Sequence, residues 1–374
     1  MHPGFMIVLL GLILLAPVTT TVAGQYCPAT PAYPATPASM LSQRNDIPAR
    51  LEWNANFGYC GEAAFVSAGL YYGQYISQYD ARALASPRVP QQLIRSQLLV
   101  GGNDRDAARR MHLAVEPLYT QPGSDPAVFL SWVKENVVNG HPVAIGVYEN
   151  KSVLPLPSPD PQYDHIVPVI GIDTPHDLHD PAYHGDDRMV FSDNGLYTPD
   201  QPEVYPFYYS YAFDDFLKSR RQANRGTSPY ALAKNTGNYG IAFTGVMDQR
   251  HETVPVRVTT DVNCERPAIK NHSSRRPAPM PLELTVTVSG MAPGVGYVLY
   301  EYDKMEAVPD ENFNDPVHAD AALYRCAIPA DAGAAEFVTR QAIDSSQMTI
   351  FRAVQAPGYA ISIPDCPAEL PARR

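Results

Sequence analysis

Gly58-Tyr-Cys-Gly-Glu-Ala-Ala-Phe-Val-Ser-Ala-Gly-Leu-Tyr-Tyr72 is the stretch on which the reading of this chain turns. Its apolar residues, Ala63, Ala64, Phe65, Val66, Ala68, Leu70 and Tyr71, keep helix-compatible spacing without a proline, so the segment is predicted to be a buried helix. Cys60 falls in the first turn of that helix. There the free backbone N–H groups carry partial positive charge and favour the thiolate, the form in which cysteine is a nucleophile. Gly58 and Gly61 flank it and let backbone and substrate approach closely. A lone helical cysteine usually packs like an alanine, so its meaning depends on its company.

The chain has five cysteines: Cys27, Cys60, Cys264, Cys326 and Cys366. Structural cysteines pair in an oxidising compartment, and an odd number leaves at least one thiol for another task. Three lie in the C-terminal third and Cys27 stands near the start, which makes Cys60 the natural odd one out, although connectivity is not fixed by sequence.

Cysteine catalysis needs an imidazole to take and return a proton, and a third group to hold that imidazole. His165 opens the β-type run His165-Ile-Val-Pro-Val-Ile-Gly-Ile172, and Asp193 with Asn194 ends the run that starts at Arg188, before Gly195. Adjacent strands would bring both to one sheet edge, facing the helix of Cys60.

The order Gly-Tyr-Cys60-Gly, then Gly140-His-Pro-Val-Ala-Ile145, then Asp164-His165-Ile-Val-Pro-Val-Ile-Gly171, then Phe191-Ser-Asp193, resembles the bacteriocin-processing (double-glycine leader) peptidase family of the papain-like superfamily over about residues 43–248. The resemblance implies a papain-like α+β fold, a helix carrying the nucleophile packed on an antiparallel sheet. It also implies Cys60 as nucleophile, His165 as general acid/base and Asp193 as the orienting carboxylate, with Asn194 as the alternative orienting residue. That family places a glutamine six residues before the cysteine to stabilise the oxyanion, and here the position is Asn54, one methylene shorter; Asn56 is the other amide at hand.

Working outward, helices are predicted over Pro90–Leu99, over Asp104–Leu113 behind an Asn-Asp cap, and over Asp125–Val137 behind a capping aspartate with proline at the first helical position. Strands follow over Pro142–Tyr148, His165–Ile172, Arg188–Asp193 and Tyr239–Val246, the last expected to close the sheet. Beyond Met247, alternating β-branched and aromatic runs at Val254–Thr260, Leu282–Val288, Gly296–Tyr302 and Met348–Val354 mark a small β-sandwich stapled by one disulfide. The domain plan is residues 1–23 signal peptide, 24–42 Pro-rich linker, 43–248 peptidase-like domain and 249–374 β-sandwich-like domain.

Hydrophobic residues make up 45% and charged residues 18% of the 374, a globular composition. The formal charge of −11, with no long basic tract, excludes nucleic acid as a partner. Phe5–Ala16 is apolar but too short to span a bilayer, and reads as a secretory signal cleaved near Ala23, leaving no stable membrane insertion. Two sequons, at Asn150 and Asn271, are compatible with glycosylation after export. The loop Asp173–Asp187 holds His176, His179 and His184 among aspartates; their spacing fits no recognised metal cage, so the loop is read as polar surface. Tyr205–Tyr211 is read as cleft lining or packing.

These readings converge on a secreted cysteine hydrolase acting on a peptide or protein substrate through a thioester, with no cofactor and no metal. The alternatives are a catalytically degenerate papain-like domain used as a binding or cell-surface module, and an acyl transferase with the same triad.

Overall fold

The computed structural model describes residues 27, 32–53, 55–154, 162–194, 207–265, 274–329, 336–357 and 363–373. The predicted signal peptide, Asn54 and the sequon at Asn271 lie outside these residues. The described residues are mixed α+β, and all pairings among their named strands but one are antiparallel.

Helix α1, Cys60–Tyr71, is the axle of the molecule. Ten consecutive residues, Gly61 to Leu70, are buried, because the helix is enclosed on all sides rather than amphipathic. The next helix is not at Pro90–Leu99. Instead Ser77 caps α2, Gln78–Ala85, accepting from the Asp80 N–H at 3.1 Å, and residues 90–99 contain only one 3-10 turn, Ile94–Ser96. Their polar groups are used across α1 and α2: the Leu98 N–H donates to Glu62 at 2.9 Å and the Gln91 amide donates to the Tyr79 carbonyl at 2.8 Å. The Leu98 carbonyl sits where a Cβ on Gly61 would lie, at 2.1 Å, so the segment crosses α1 only because residue 61 is glycine.

Helix α3, Asp104–Arg110, is shorter than predicted, because Leu113 begins strand β3, Leu113–Tyr119. Asn103 makes no side-chain cap; its oxygen accepts from the Leu99 N–H instead. Helix α4, Pro126–Val138, is capped by Asp125 with proline at its start, as the sequence dictates.

Strand β1, Leu41–Arg44, begins inside the segment read as linker. After it come the short β2, Gln74–Tyr75, then β3, β4, Val143–Glu149, β5, His165–Thr174, β6, Arg188–Ser192, β7, Tyr208–Ala212, β8, Leu217–Lys218, β9, Tyr230–Ala233, and β10, Tyr239–Val246. All but β2 form one nine-stranded sheet with the central order β3-β10-β4-β5-β6-β7. The last strand therefore does not close the sheet. It is inserted between β3 and β4, because β3, missed in the sequence, takes its outer side.

The C-terminal segments form β11, Thr253–Val254, β12, Val256–Thr260, β13, Pro281–Ser289, β14, Tyr297–Tyr302, β15, Tyr324–Ile328, β16, Glu336–Asp344, and β17, Thr349–Gln355. Pro255 splits the run predicted as one strand. Five strands, β11-β17-β14-β15 with β2 added to β17, make one sheet, and β12-β13-β16 make another. Their inward residues, Leu284, Val286, Val298, Tyr300 and Phe351, share a single apolar cluster with Phe65, Val66 and Leu70 of α1. Cys326 and Cys366 are bridged within this part, and Cys27 is bridged to Cys264. No helix among the described residues is long and apolar enough to cross a membrane.

Candidate functional site

Among the described residues Cys60 is the free cysteine, and its side chain is half-buried. It opens α1 directly after a reversal in which Asn56, Phe57 and Gly58 all take positive φ, at 51°, 70° and 89°. Such a run is costly for residues with a Cβ and persists only when its surroundings hold it. Here Arg82 holds it: the guanidinium donates to the Asn56 carbonyl at 3.0 Å and to the Gly58 carbonyl, lies 3.5 Å from the Tyr59 ring centre, and pairs with Glu62 at 2.6 Å.

His165 begins β5, and Asp193 follows the last residue of β6. The antiparallel register Val169 to Phe191 puts both at the same end of the sheet. His165 Nε2 lies 3.4 Å from Asp193 Oδ1, and a ring nitrogen of His165 lies within 4.8 Å of the Cys60 sulfur. The other oxygen of Asp193 accepts from the Tyr230 hydroxyl at 2.7 Å, and its backbone N–H donates to the Phe207 carbonyl at 2.8 Å. Tyr230 also stacks on the His165 ring, at 5.9 Å and 17°. Beneath lies an aromatic bed of Phe191, Tyr209, Tyr211 and Phe216, so Tyr209 and Tyr211 of the tyrosine-rich run are packing here, whereas Tyr208 packs against Tyr33 and Phe207.

Asn194 is directed elsewhere: its amide donates to the Cys60 carbonyl at 2.9 Å. Asn56 donates to the Tyr59 hydroxyl at 3.2 Å and is buried. The acidic side chain beside the sulfur is Glu52, which the sequence did not single out. One Glu52 carboxyl oxygen, the Cys60 sulfur and a His165 ring nitrogen lie within 4.8 Å of one another. Counting helical turns back from Cys60 misses it, because residues 56–58 are not helical and the chain doubles back through them.

The electrostatics are dominated by burial. Enclosure pushes the Cys60 thiol up, the hydrogen bond and charge of His165 pull it down, and Glu52 and Glu62 push it up again, with a net rise. The helix start alone predicts a lowered value, so desolvation outweighs it here. Burial would lower His165, but its hydrogen bonds to Asp193 and Cys60 and the nearby charges of Cys60 and Glu149 carry it well above the usual imidazole value. Burial raises Glu52 to about 7 and Glu149, at the end of β4, to about 8. Asp164 is paired with Arg220, which lies 3.8 Å from the Tyr148 ring centre.

The His-rich loop is ordered rather than loose. Thr174 donates to Asp187, which pairs with buried Lys134 at 2.8 Å. His176, His184 and Asp186 offer ligand atoms within 4.8 Å of one another. However, the two rings stack at 3.7 Å and 19°, so their in-plane lone pairs run side by side instead of converging, and Asp186 and Asp180 already engage their Nε2 atoms. The sequon at Asn150 is closed: the side chain is buried and donates to the Gly226 and Ser228 carbonyls at 2.7 and 3.0 Å.

No protein-family profile matches the chain, and no curated protein does. Among solved structures, the crystal structure of UfSP from C. elegans is similar, at 11% identity and a TM-score of 0.30, over 57% of this chain and 35% of that one. The match therefore spans well under half of that protein's length, and a likeness this slight carries no argument about activity.

Proposed function

We propose that this chain is an exported papain-like cysteine hydrolase, of the kind its motif order resembles, that cleaves a peptide or other amide bond and carries a C-terminal β-sandwich-like module. The observation that carries this reading is a convergence. A free thiol at a helix start, an imidazole at a strand start and a carboxylate after a neighbouring strand come together, the Cys60 sulfur within 4.8 Å of a His165 ring nitrogen and His165 Nε2 at 3.4 Å from Asp193, although 133 residues separate the first from the last by their numbers. The four other cysteines are bridged, which supports an oxidising compartment and leaves this thiol reserved.

In the reaction, Cys60 gives its proton to His165 as sulfur attacks the carbonyl carbon. The oxyanion collapses, the C–N bond breaks, and His165 returns the proton to the departing amine. Water then attacks the thioester while His165 takes its proton. The C–S bond breaks and the thiol is restored.

The test is cleavage of a mixed peptide library by the full chain, compared with Cys60→Ala and His165→Ala. Cleavage lost in both folded variants supports the reading. Binding of a library member with no dependence of products on Cys60 replaces it with a binding module, and products formed only with an added amine replace hydrolysis with acyl transfer.

A further inference from the structure

Addition of sulfur to a carbonyl creates an oxyanion, and a site of this kind needs donors aimed at it before the reaction begins. The Cys60 backbone N–H, in the first helical turn, lacks an intrahelical acceptor and supplies one. We propose that the Glu52 carboxyl group supplies the second, side-chain donor to the oxyanion formed on addition of Cys60. This rests on the hydrolase reading above and deepens it.

Three features place Glu52 for that task. Its carboxyl is beside both reacting groups, within 4.8 Å of the Cys60 sulfur and a His165 nitrogen. Its backbone is tethered residue by residue: the Leu51 N–H donates to the Asn263 carbonyl at 2.8 Å, the Glu52 N–H donates to the Asn194 carbonyl, and the Trp53 N–H donates to the Gln78 side chain at 2.7 Å. Finally, the Tyr59 N–H donates to Glu52 Oε2 at 3.0 Å, which fixes one oxygen as an acceptor and leaves Oε1 to carry the hydrogen.

A carboxyl donates only when protonated. The groups facing Glu52 are Cys60 and Glu62 on α1, Tyr59 before it, His165 on β5, Glu149 on β4 and Asp193 after β6. Burial raises Glu52 to about 7, His165 and the Tyr59 N–H oppose the rise, and Asp193 and Glu62 add to it. Below that pH the acid is a donor. Above it the carboxylate repels an oxyanion, and the donor is lost although the thiolate fraction is still growing.

Two reagents separate this role from an effect on the thiol itself. Iodoacetamide alkylates sulfur by displacement, with no oxyanion, whereas p-nitrophenyl acetate acylates it through a tetrahedral oxyanion. Both adducts are read on Cys60 by mass spectrometry of the full chain, on either side of about pH 7. In the unaltered protein alkylation should keep rising as pH passes that value while acylation stops rising, so the ratio of acylation to alkylation falls. Glu52→Ala should lose about 100-fold in acylation, the cost of one oxyanion donor, with alkylation not reduced, because Glu52 disfavours the thiolate and alanine does not. Glu52→Gln, an amide donor at every pH, should recover most of that loss and let acylation rise above neutrality. Parallel loss of both reactions in Glu52→Ala, or acylation unaffected by it, overturns the proposal. A Cys60 inert to both reagents in the unaltered protein instead removes the hydrolase reading, and this proposal with it.

Discussion

Arg82 and Glu62 form an ion pair at 2.6 Å in which each side chain is only 1% exposed. The pair joins α2 to the first turn of α1, and the remaining donors of Arg82 reach the Asn56 and Gly58 carbonyls of the reversal that delivers Cys60. The Glu62 carboxylate meanwhile accepts from the Leu98 N–H at 2.9 Å. The site thus stands on a buried polar network in which every member fixes a piece of loop.

Removing one partner of such a pair leaves the other charge buried, a far larger loss than a surface pair would give. Arg82→Met should therefore destabilise the protein by about 3–5 kcal/mol, measured by urea denaturation. A loss below about 1 kcal/mol, the range of exposed pairs, would show that the network is not what holds the reversal.

Tyr230→Phe keeps the ring that stacks on His165 and removes only the hydroxyl that donates to Asp193 at 2.7 Å. A hydrogen bond to a charged group contributes about 1.5–3 kcal/mol, and stability should fall by that amount. Because Asp193 hydrogen-bonds His165, the pH profile of Cys60 alkylation should move too. A stability loss with an unmoved profile would make Tyr230 packing alone.

The long, strongly patterned pieces of this architecture can be read from residues: the all-apolar run after Cys60, the capped helix at Asp125 and the strands led by His165 and Arg188. What local pattern does not carry is the tertiary use of polar groups. Residues 90–99 look helical, yet the Leu98 N–H is spent on Glu62 and the Gln91 side-chain amide on the Tyr79 carbonyl. Leu113–Tyr119 contains Glu116 and Pro117, which mask a strand that the sheet accepts on its margin. Glu52 is hidden for a different reason. Its proximity to Cys60 depends on three successive positive φ angles, and only Gly58 among those residues announces one.

The Cys326–Cys366 bridge closes a span of 40 residues across β15 and the C-terminal segment. Loop-closure entropy for that span corresponds to about 4 kcal/mol. Replacing both cysteines with alanine should lower the midpoint of unfolding accordingly. Cys326 is fully buried, so the single variant Cys366→Ala provides the comparison that separates loss of the bridge from loss of core packing at residue 326. A double variant as stable as the parent would mean that the β14–β15 pairing already fixes this end of the chain.

Glu149 sits 4% exposed at the end of β4, and burial first, then Asp164, Asp193 and Glu52, raise its carboxyl from 4.5 to about 8 against the pull of His165. Between those two values the folded chain keeps a proton that the unfolded chain has released. Stability from this group is therefore fully present below the unfolded value, and declines as pH rises until the folded carboxyl ionises. Glu149→Gln cannot ionise and removes that part of the slope. Urea denaturation between pH 4.5 and about pH 8 should show the variant losing less stability than the parent as pH increases. Identical slopes would mean that Glu149 is ionised in the folded protein well below that pH, and that the carboxyls around His165 share their charge differently.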